Sequence, residues 1–276
     1  MEPLGVRVGS INDAVRCERE GDVVVAVFAN PEKLNPLSEV LLGGLLELFG
    51  MIRRDSSVRA LLLIGEGKAF SVGADLSSFS ATDGDTRSLG DRTADTMDAR
   101  CNRVVQELQT LPVPVVSAVN GVTAGAGVGL ALAADVTIAT RSAYFYLPFI
   151  PRLGIIPDMG ITWFLQHRIG HARAMALTLL GDRIPAEQAT QWGLIWACVE
   201  DSTLRGDALA LANRLARLPA HGARETRAAY VAAARNSLQG QLAYETERQR
   251  ELVDRPEFSE GVQAFRERRE PVFRRR

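Results

Sequence analysis

Cysteine, histidine and lysine are scarce in this chain of 276 residues, which has 3 Cys, 3 His and only two lysines, Lys33 and Lys68, against a large excess of arginine. Cys17, Cys101 and Cys198 lie far apart and form no Cys-x-x-Cys pair, so a disulfide framework and a zinc site are not expected and a reducing compartment is. Charge of one sign is also missing. A net charge of −1 gives no global field to recruit nucleic acid or an acidic membrane surface. The run Arg274-Arg275-Arg276 is a local exception and reads as a solvated terminus. The opening Met-Glu-Pro-Leu-Gly has neither the basic start nor the apolar run of a secretory signal, which leaves the cytoplasm as the expected location.

The sequence has no unbroken long apolar helix. Leu108–Ala134 carries no formal charge and is long enough for a membrane span, but Pro112 and Pro114 break its start and Asn120-Gly121 marks a turn in its middle. It reads instead as a buried strand, a turn and a short helix. A dinucleotide fingerprint is absent too: Gly125, Gly127 and Gly129 give Gly-x-Gly-x-Gly, and the required spacing is Gly-x-Gly-x-x-Gly.

An apolar share of 46% and a charged share of 24% describe an ordinary globular chain, of one large domain or one with a small appendage. Asp22–Phe28 and Val58–Ile64 are dense in β-branched or aliphatic residues and read as buried strands. Between them Ser38 is a candidate N-cap for a helix to about Arg54. Residues 77–95 turn polar, with Asp83, Asp85 and Asp91, and read as a surface loop or a lid over a pocket. A helix over 96–111, a strand over 113–119, a short helix over 125–134 and a strand over 136–139 follow. Past Gly160 the chain reads as mainly helical, with a break at 181–185 and a short apolar stretch at 194–199. Strand–helix units early and helices late predict an α/β core with helical additions.

Three segments carry candidate chemistry. In Gly67-Lys-Ala-Phe-Ser-Val-Gly-Ala-Asp-Leu76 a strand ends in small residues, either a plain tight turn or a place where a ligand approaches main-chain N–H groups. Val119-Asn-Gly-Val-Thr-Ala-Gly-Ala-Gly-Val-Gly-Leu130 runs from a strand into a helix start, whose unpaired N–H groups favour developing negative charge. In Leu153-Gly-Ile-Ile-Pro-Asp-Met-Gly160, Asp158 sits among apolar residues, either as a helix cap or as a working carboxylate. Phe145, Tyr146, Phe149 and Trp163 are either core or the wall of an apolar pocket.

In order and spacing these three segments resemble the crotonase superfamily, the enoyl-CoA hydratase/isomerase family. Gly181-Asp-Arg-Ile-Pro-Ala-Glu, Trp192-Gly-Leu194 and Glu260–Phe273 are similar to its downstream landmarks, so the likeness runs from about Val23 to Phe273. The resemblance implies a spiral of strand–strand–helix turns over residues 1–200 and a helical C-terminal region over 201–276 that builds homotrimers or dimers of trimers. It implies an acyl-CoA thioester as substrate, no tightly bound cofactor and no metal. It also implies an oxyanion hole made by the main-chain N–H groups of Ala74 and Ala126, the latter standing where the family often has glycine. Coenzyme A contacts would fall on Lys33, Lys68, Ala74, Asp75, Leu76 and, from a neighbouring subunit, Arg268.

Against the family pattern, both hydratase glutamates are missing. The first position is Gly129. The second is Phe149 or Ile150, depending on the direction of counting, and these three positions are expected to line the substrate pocket. Hydration needs paired carboxylates to hold and activate water, so the preferred expectation is isomerisation of 3-enoyl-CoA to 2-enoyl-CoA with Asp158 as the single acid/base. A hydratase using other carboxylates, for instance from residues 83–98, and an acyl-CoA binder without turnover stay open. Dehalogenation is the remaining alternative, short of a histidine near the aspartate.

Overall fold

The structure is a computed structural model that describes Val6 and residues 8–79 and 86–273. The first strands are β1 (Gly9–Asn12), β2 (Val15–Glu20) and β3 (Val23–Phe28), joined as an antiparallel meander. Helix α1 (Glu39–Arg54) leads to β4 (Ala60–Gly65), which pairs parallel with β3. From there the chain repeats a pattern, each turn giving one strand to a large sheet and the next to a small one. Thus β4 is followed by β5 (Ala69–Ser71), β6 (Val115–Val119) by β7 (Val122–Ala124), and β8 (Val136–Thr140) by β9 (Tyr144–Tyr146). With β10 (Ile184–Pro185) and β11 (Ala197–Val199), the described residues form a seven-stranded sheet, β1-β2-β3-β4-β6-β8-β11, and a four-stranded sheet, β10-β9-β7-β5. This is the expected α/β spiral.

Both faces of the central strands are covered, which is why their sequences are apolar without alternation. In β3 the side chains of Val24, Ala26 and Phe28 enter the main core, and those of Val23, Val25 and Val27 enter a second core on the opposite face. Helix α1 fills the first with Leu41, Leu45, Leu48 and Ile52, a stripe at helical spacing, and Ser38 caps it by accepting the Leu41 N–H at 3.2 Å. Helix α7 (Leu204–Ala216) closes the second through Leu204, Ala208, Ala212 and Ala216, whose four-residue spacing and small size let it lie close on the sheet.

The remaining helices are α2 (Leu89–Thr96), α3 (Asn102–Thr110), α4 (Ala126–Leu132), α5 (Ile161–Leu180), α6 (Ala186–Gln191), α8 (Gly222–Ala233), α9 (Leu238–Val253) and α10 (Pro256–Glu267). A π-helical turn at Met97–Cys101 joins α2 to α3. The polar reading of residues 77–95 as loop is therefore corrected. A short 3-10 turn spans Leu76–Phe79, and α2 starts at Leu89, capped by the Ser88 hydroxyl. Sequence polarity misled there because α2 buries no residue. Asp83 and Asp85 of that expectation lie outside the described residues, as does the Arg274–Arg276 run. Strands β1, β2, β5, β7 and β9 are absent from the sequence expectation, β5, β7 and β9 because three residues carry no readable period. No helix among the described residues is long and apolar enough to cross a membrane.

Asp135 joins three parts of the chain. Arg227 of α8 donates to it through Nε at 2.6 Å and through Nη2 at 2.5 Å, and to the carbonyls of Leu111 and Val113. Asp135 also accepts the Val115 N–H at 2.7 Å, at the start of β6. The Arg227 side chain is 12% exposed and that of Asp135 23%, on a residue that is itself at the surface. Replacing Asp135 by alanine leaves the guanidinium only its two carbonyl acceptors and should lower stability by about 1–2 kcal/mol, read as a fall in the urea midpoint with unchanged slope.

Candidate active site

The small sheet builds the site. β5 pairs parallel with β7, Ala69 opposite Val122 and Ser71 opposite Thr123, and β7 pairs parallel with β9. Three neighbouring parallel strands release their C-terminal ends on one side, and the loop after each meets the others there. The loop after β5 carries Ala74, Asp75 and Leu76. Ala126 is the first residue of α4, directly after β7. The segment after β9 carries Phe149 in a π-helical turn, Phe149–Leu153, and ends on Asp158 before α5.

Together they enclose a cleft of 440 Å³, lined by Ala74, Asp75, Leu76, Ala126, Phe149 and Asp158, and by Lys33 on a 3-10 turn at Pro31–Lys33. The Lys33 segment is tied to the Ala74 loop by Leu37 N–H donating to the Gly73 carbonyl at 2.8 Å and Val72 N–H to that of Leu34 at 3.1 Å. Opposite, Gly125 N–H donates to the Tyr146 carbonyl at 2.9 Å, fixing the α4 start to the end of β9. Asn35, at the end of the Pro31–Asn35 segment expected to bind coenzyme A, and Asn120, in the second glycine-rich segment, brace the loops, a role sequence reasoning did not assign them. Asn35 donates to the carbonyls of Glu66 and Ala69, and Asn120 accepts the Gly65 N–H and donates to the Gly67 carbonyl.

Gly73 explains how the first two loops come so close. A Cβ there would sit 2.8 Å from the Ala124 oxygen and 2.9 Å from the Ala126 nitrogen, and its φ of +85° already disfavours any other residue. No described acceptor takes the Ala74 N–H, and Ala126, as the first residue of α4, has its N–H outside the helix's own bonding pattern.

Asp158 is no helix cap. The cap position of α5 is Gly160, and what Asp158 gives the helix is its main-chain carbonyl, which accepts the Ile161 N–H at 2.9 Å. That corrects the capping alternative. Its carboxyl Oδ1 is buried without a hydrogen-bond partner among the described residues. Burial raises the carboxyl from its ordinary 3.8 to about 6. Cys101 is close enough to feel it: burial first, and then the Asp158 charge, push this thiol up to about 11. Met159 follows at φ +50°, an uncommon value for a buried side chain.

The other predicted site residues fall elsewhere. Lys68 and Arg268 are exposed, away from the cleft of their own chain, and Ile150 is half-buried and does not line it. Gly129 is buried in α4, where a Cβ would meet Met159 Cβ at 2.5 Å and Met159 O at 2.6 Å. Its place is therefore filled by Met159 rather than facing the cleft. Of the aromatics, Phe149 lines the cleft, Phe145 is core, and Trp163 stacks on His167 at 4.1 Å, half-exposed on α5. Leu153 and Ile155 line the cleft and were missed. Their only sequence signal is apolar character in a segment too short and glycine-broken for an element.

Because the folded carboxyl of Asp158 holds its proton more tightly than the unfolded chain does, the stabilisation it lends is complete below about pH 4 and is lost as pH rises through about 6. Asp158→Asn should match the wild type near pH 4 and exceed it by about 2 kcal/mol at pH 8, after allowance for the open side of the cleft. Paired urea titrations at the two pH values measure this.

The Enoyl-CoA hydratase/isomerase family description matches residues 18–276. The chain is 41% identical to the 1,2-epoxyphenylacetyl-CoA isomerase of Escherichia coli K12, over 92% of this chain and 95% of that one. It is 31% identical to the 2,3-dehydroadipyl-CoA hydratase of the same organism, over 94% and 97%. The crystal structure of an enoyl-CoA hydratase from Bacillus anthracis superposes with a TM-score of 0.85 at 29% identity, covering 94% of this chain and 98% of that one. Strand–strand–helix spiral, near-complete family match and long alignments agree: the chain belongs to the enoyl-CoA hydratase/isomerase family of the crotonase superfamily.

Proposed function

We propose that the cleft isomerises a 3-enoyl-CoA to the conjugated 2-enoyl-CoA, with Asp158 as the single acid and base. The observation that carries this reading is a half-buried carboxyl, with its Oδ1 buried and without a partner among the described residues, in the same cleft as Ala74 and Ala126. A thioester α-proton is weakly acidic, and its removal puts charge on the carbonyl oxygen. The Ala74 and Ala126 N–H groups are assigned to that oxygen, where loss of one donor in comparable sites costs about 3–4 kcal/mol. Asp158 takes the proton from C2 and returns it at C4, and the electron pair moves to place the double bond between C2 and C3. A base poised near pH 6 is ionised at neutral pH yet strong enough to share a proton with carbon.

Two observations favour isomerisation over hydration. Gly129 and Phe149 supply no carboxylate at the two hydratase positions, and Phe149 is a buried aromatic that keeps the acyl side dry. The described aspartates between residues 86 and 98 are engaged locally: Asp91 with Ser88, Asp95 with Arg87 at 2.7 Å and Asp98 with Asn102 at 2.9 Å. The 41% identical relative is named as an isomerase, of 1,2-epoxyphenylacetyl-CoA rather than of a 3-enoyl-CoA, so it supports isomerase chemistry in class and not this double-bond shift. For coenzyme A, Lys33 is assigned to a phosphate and Asp75 and Leu76 to the pantetheine arm. Lys68 and Arg268, remote from their own cleft, are assigned to the nucleotide portion, Arg268 from a neighbouring copy in a homotrimer or dimer of trimers. That assembly accounts for the exposed Tyr230, Leu238 and Phe265 of α8, α9 and α10.

Ultraviolet absorbance separates the readings. The chain should generate the conjugated chromophore from a 3-enoyl-CoA and leave a 2-enoyl-CoA unbleached, and kcat/KM should rise with pH through about 6 to a plateau. Asp158→Asn should lower kcat by at least about 1,000-fold, and retention of full activity would end the one-base mechanism. Gly129→Glu should gain no hydratase activity and should lose about 3 kcal/mol of stability, because the new side chain collides with Met159.

A further inference from the structure

The two walls of the cleft differ in chemistry. One, made by the turn at Pro31–Lys33 and the loop after β5, carries Lys33, exposed, and Asp75. The other, made by the segment after β9, presents Phe149, Leu153 and Ile155 around Asp158. Leu153 and Ile155 are 44% and 51% exposed, large aliphatic surface facing an open cleft. No cation among the described lining residues accompanies Asp158 on that wall. Arg152, the one basic residue of its segment, is exposed and does not line the cleft. The state of Asp158 agrees, because its shift is caused by burial and no neighbouring positive charge opposes it.

Resting on the acyl-CoA reading above, we propose that the Phe149–Leu153–Ile155 wall selects an uncharged, apolar acyl group and excludes thioesters whose acyl chain ends in a second carboxylate. The anionic coenzyme meets Lys33, the only cation among the described lining residues, at its own wall, which leaves the acyl group to the apolar one. An ω-carboxylate there would lose water against aliphatic and aromatic carbon without a partner. It would also face the carboxylate of Asp158, and two such charges cannot both stay ionised at short range. The cleft thus discriminates by leaving a charge unpaired, a stronger filter than a missing methylene.

Binding of saturated thioesters tests this without requiring turnover, and so separates it from the isomerase mechanism. Hexanoyl-CoA, phenylacetyl-CoA, adipyl-CoA and free coenzyme A would be titrated calorimetrically into the full chain. We expect hexanoyl-CoA or phenylacetyl-CoA to bind at least about 100-fold more tightly than adipyl-CoA, with adipyl-CoA no better than free coenzyme A. Which apolar ligand binds better distinguishes an aliphatic from an aryl substrate. In Leu153→Arg the preference should shrink by at least about tenfold through gain of adipyl-CoA binding. Equal or tighter binding of adipyl-CoA by the wild type overturns the selectivity and leaves the acyl-CoA reading standing. If no thioester binds better than free coenzyme A, the cleft holds no acyl group and both fall.

Discussion

Parallel pairing of β5, β7 and β9 is the constraint on which the cleft depends. Strands in parallel register end on the same side, so residues separated by some 80 positions in the chain arrive at one place without any contact having to be designed between them. Main-chain groups at the end of β5 and at the start of α4 are then fixed by backbone hydrogen bonding rather than by side-chain rotamers, and the main chain of Asp158 is tied to α5 through its carbonyl. The large sheet serves as the foundation. Its strands alternate turn by turn with those of the small sheet, and its two cores keep the stack from shifting.

The clasp around Asp135 extends this rigidity to the helices. Arg168 of α5 donates to the carbonyls of Leu132, Ala134 and Leu194, and Arg227 of α8 holds Asp135, the residue that follows Ala134. Burial pulls Arg168 down to about 10, so it remains a cation at neutral pH, where its guanidinium satisfies the open carbonyl end of α4. Helix α4 is therefore held at both ends, by Gly125 against β9 and by Arg168 from α5. Since α5 also follows Asp158, the helix that starts at Ala126 and the turn that bears the carboxylate are braced against each other.

The sequence revealed the fold in proportion to local signal. Six-residue apolar strands such as β3 and β4, and α1 with its Ser38 cap, could be read directly, because burial on both faces and a helical stripe leave strong patterns. β5, β7 and β9 could not, since strands of three residues carry no periodicity, although their pairing creates the site. Helix α2 was hidden for the opposite reason: it lies exposed, so its composition is that of a loop. At the site, Asp158 stood out as a lone carboxylate in an apolar run, and Ala74, Ala126 and Phe149 were placed by resemblance. Gly129 was expected to face the pocket. It does not, because the neighbour that fills its space, Met159, is distant in sequence and close only once α5 folds back.

The close approach at Gly73 changes how this protein will look to a mutational scan. A main-chain donor survives almost any replacement of its own side chain, so the exposed position 74 will tolerate variation and seem unimportant, and at the buried Ala126 a scan will read packing rather than the amide. The glycine that lets their loops meet does not line the cleft, yet it has no room for a single added carbon. Sensitivity to mutation will therefore concentrate on a spacer rather than on the main-chain donors beside it, and a map of intolerant residues will mark the close approach of two loops instead of the amides they carry.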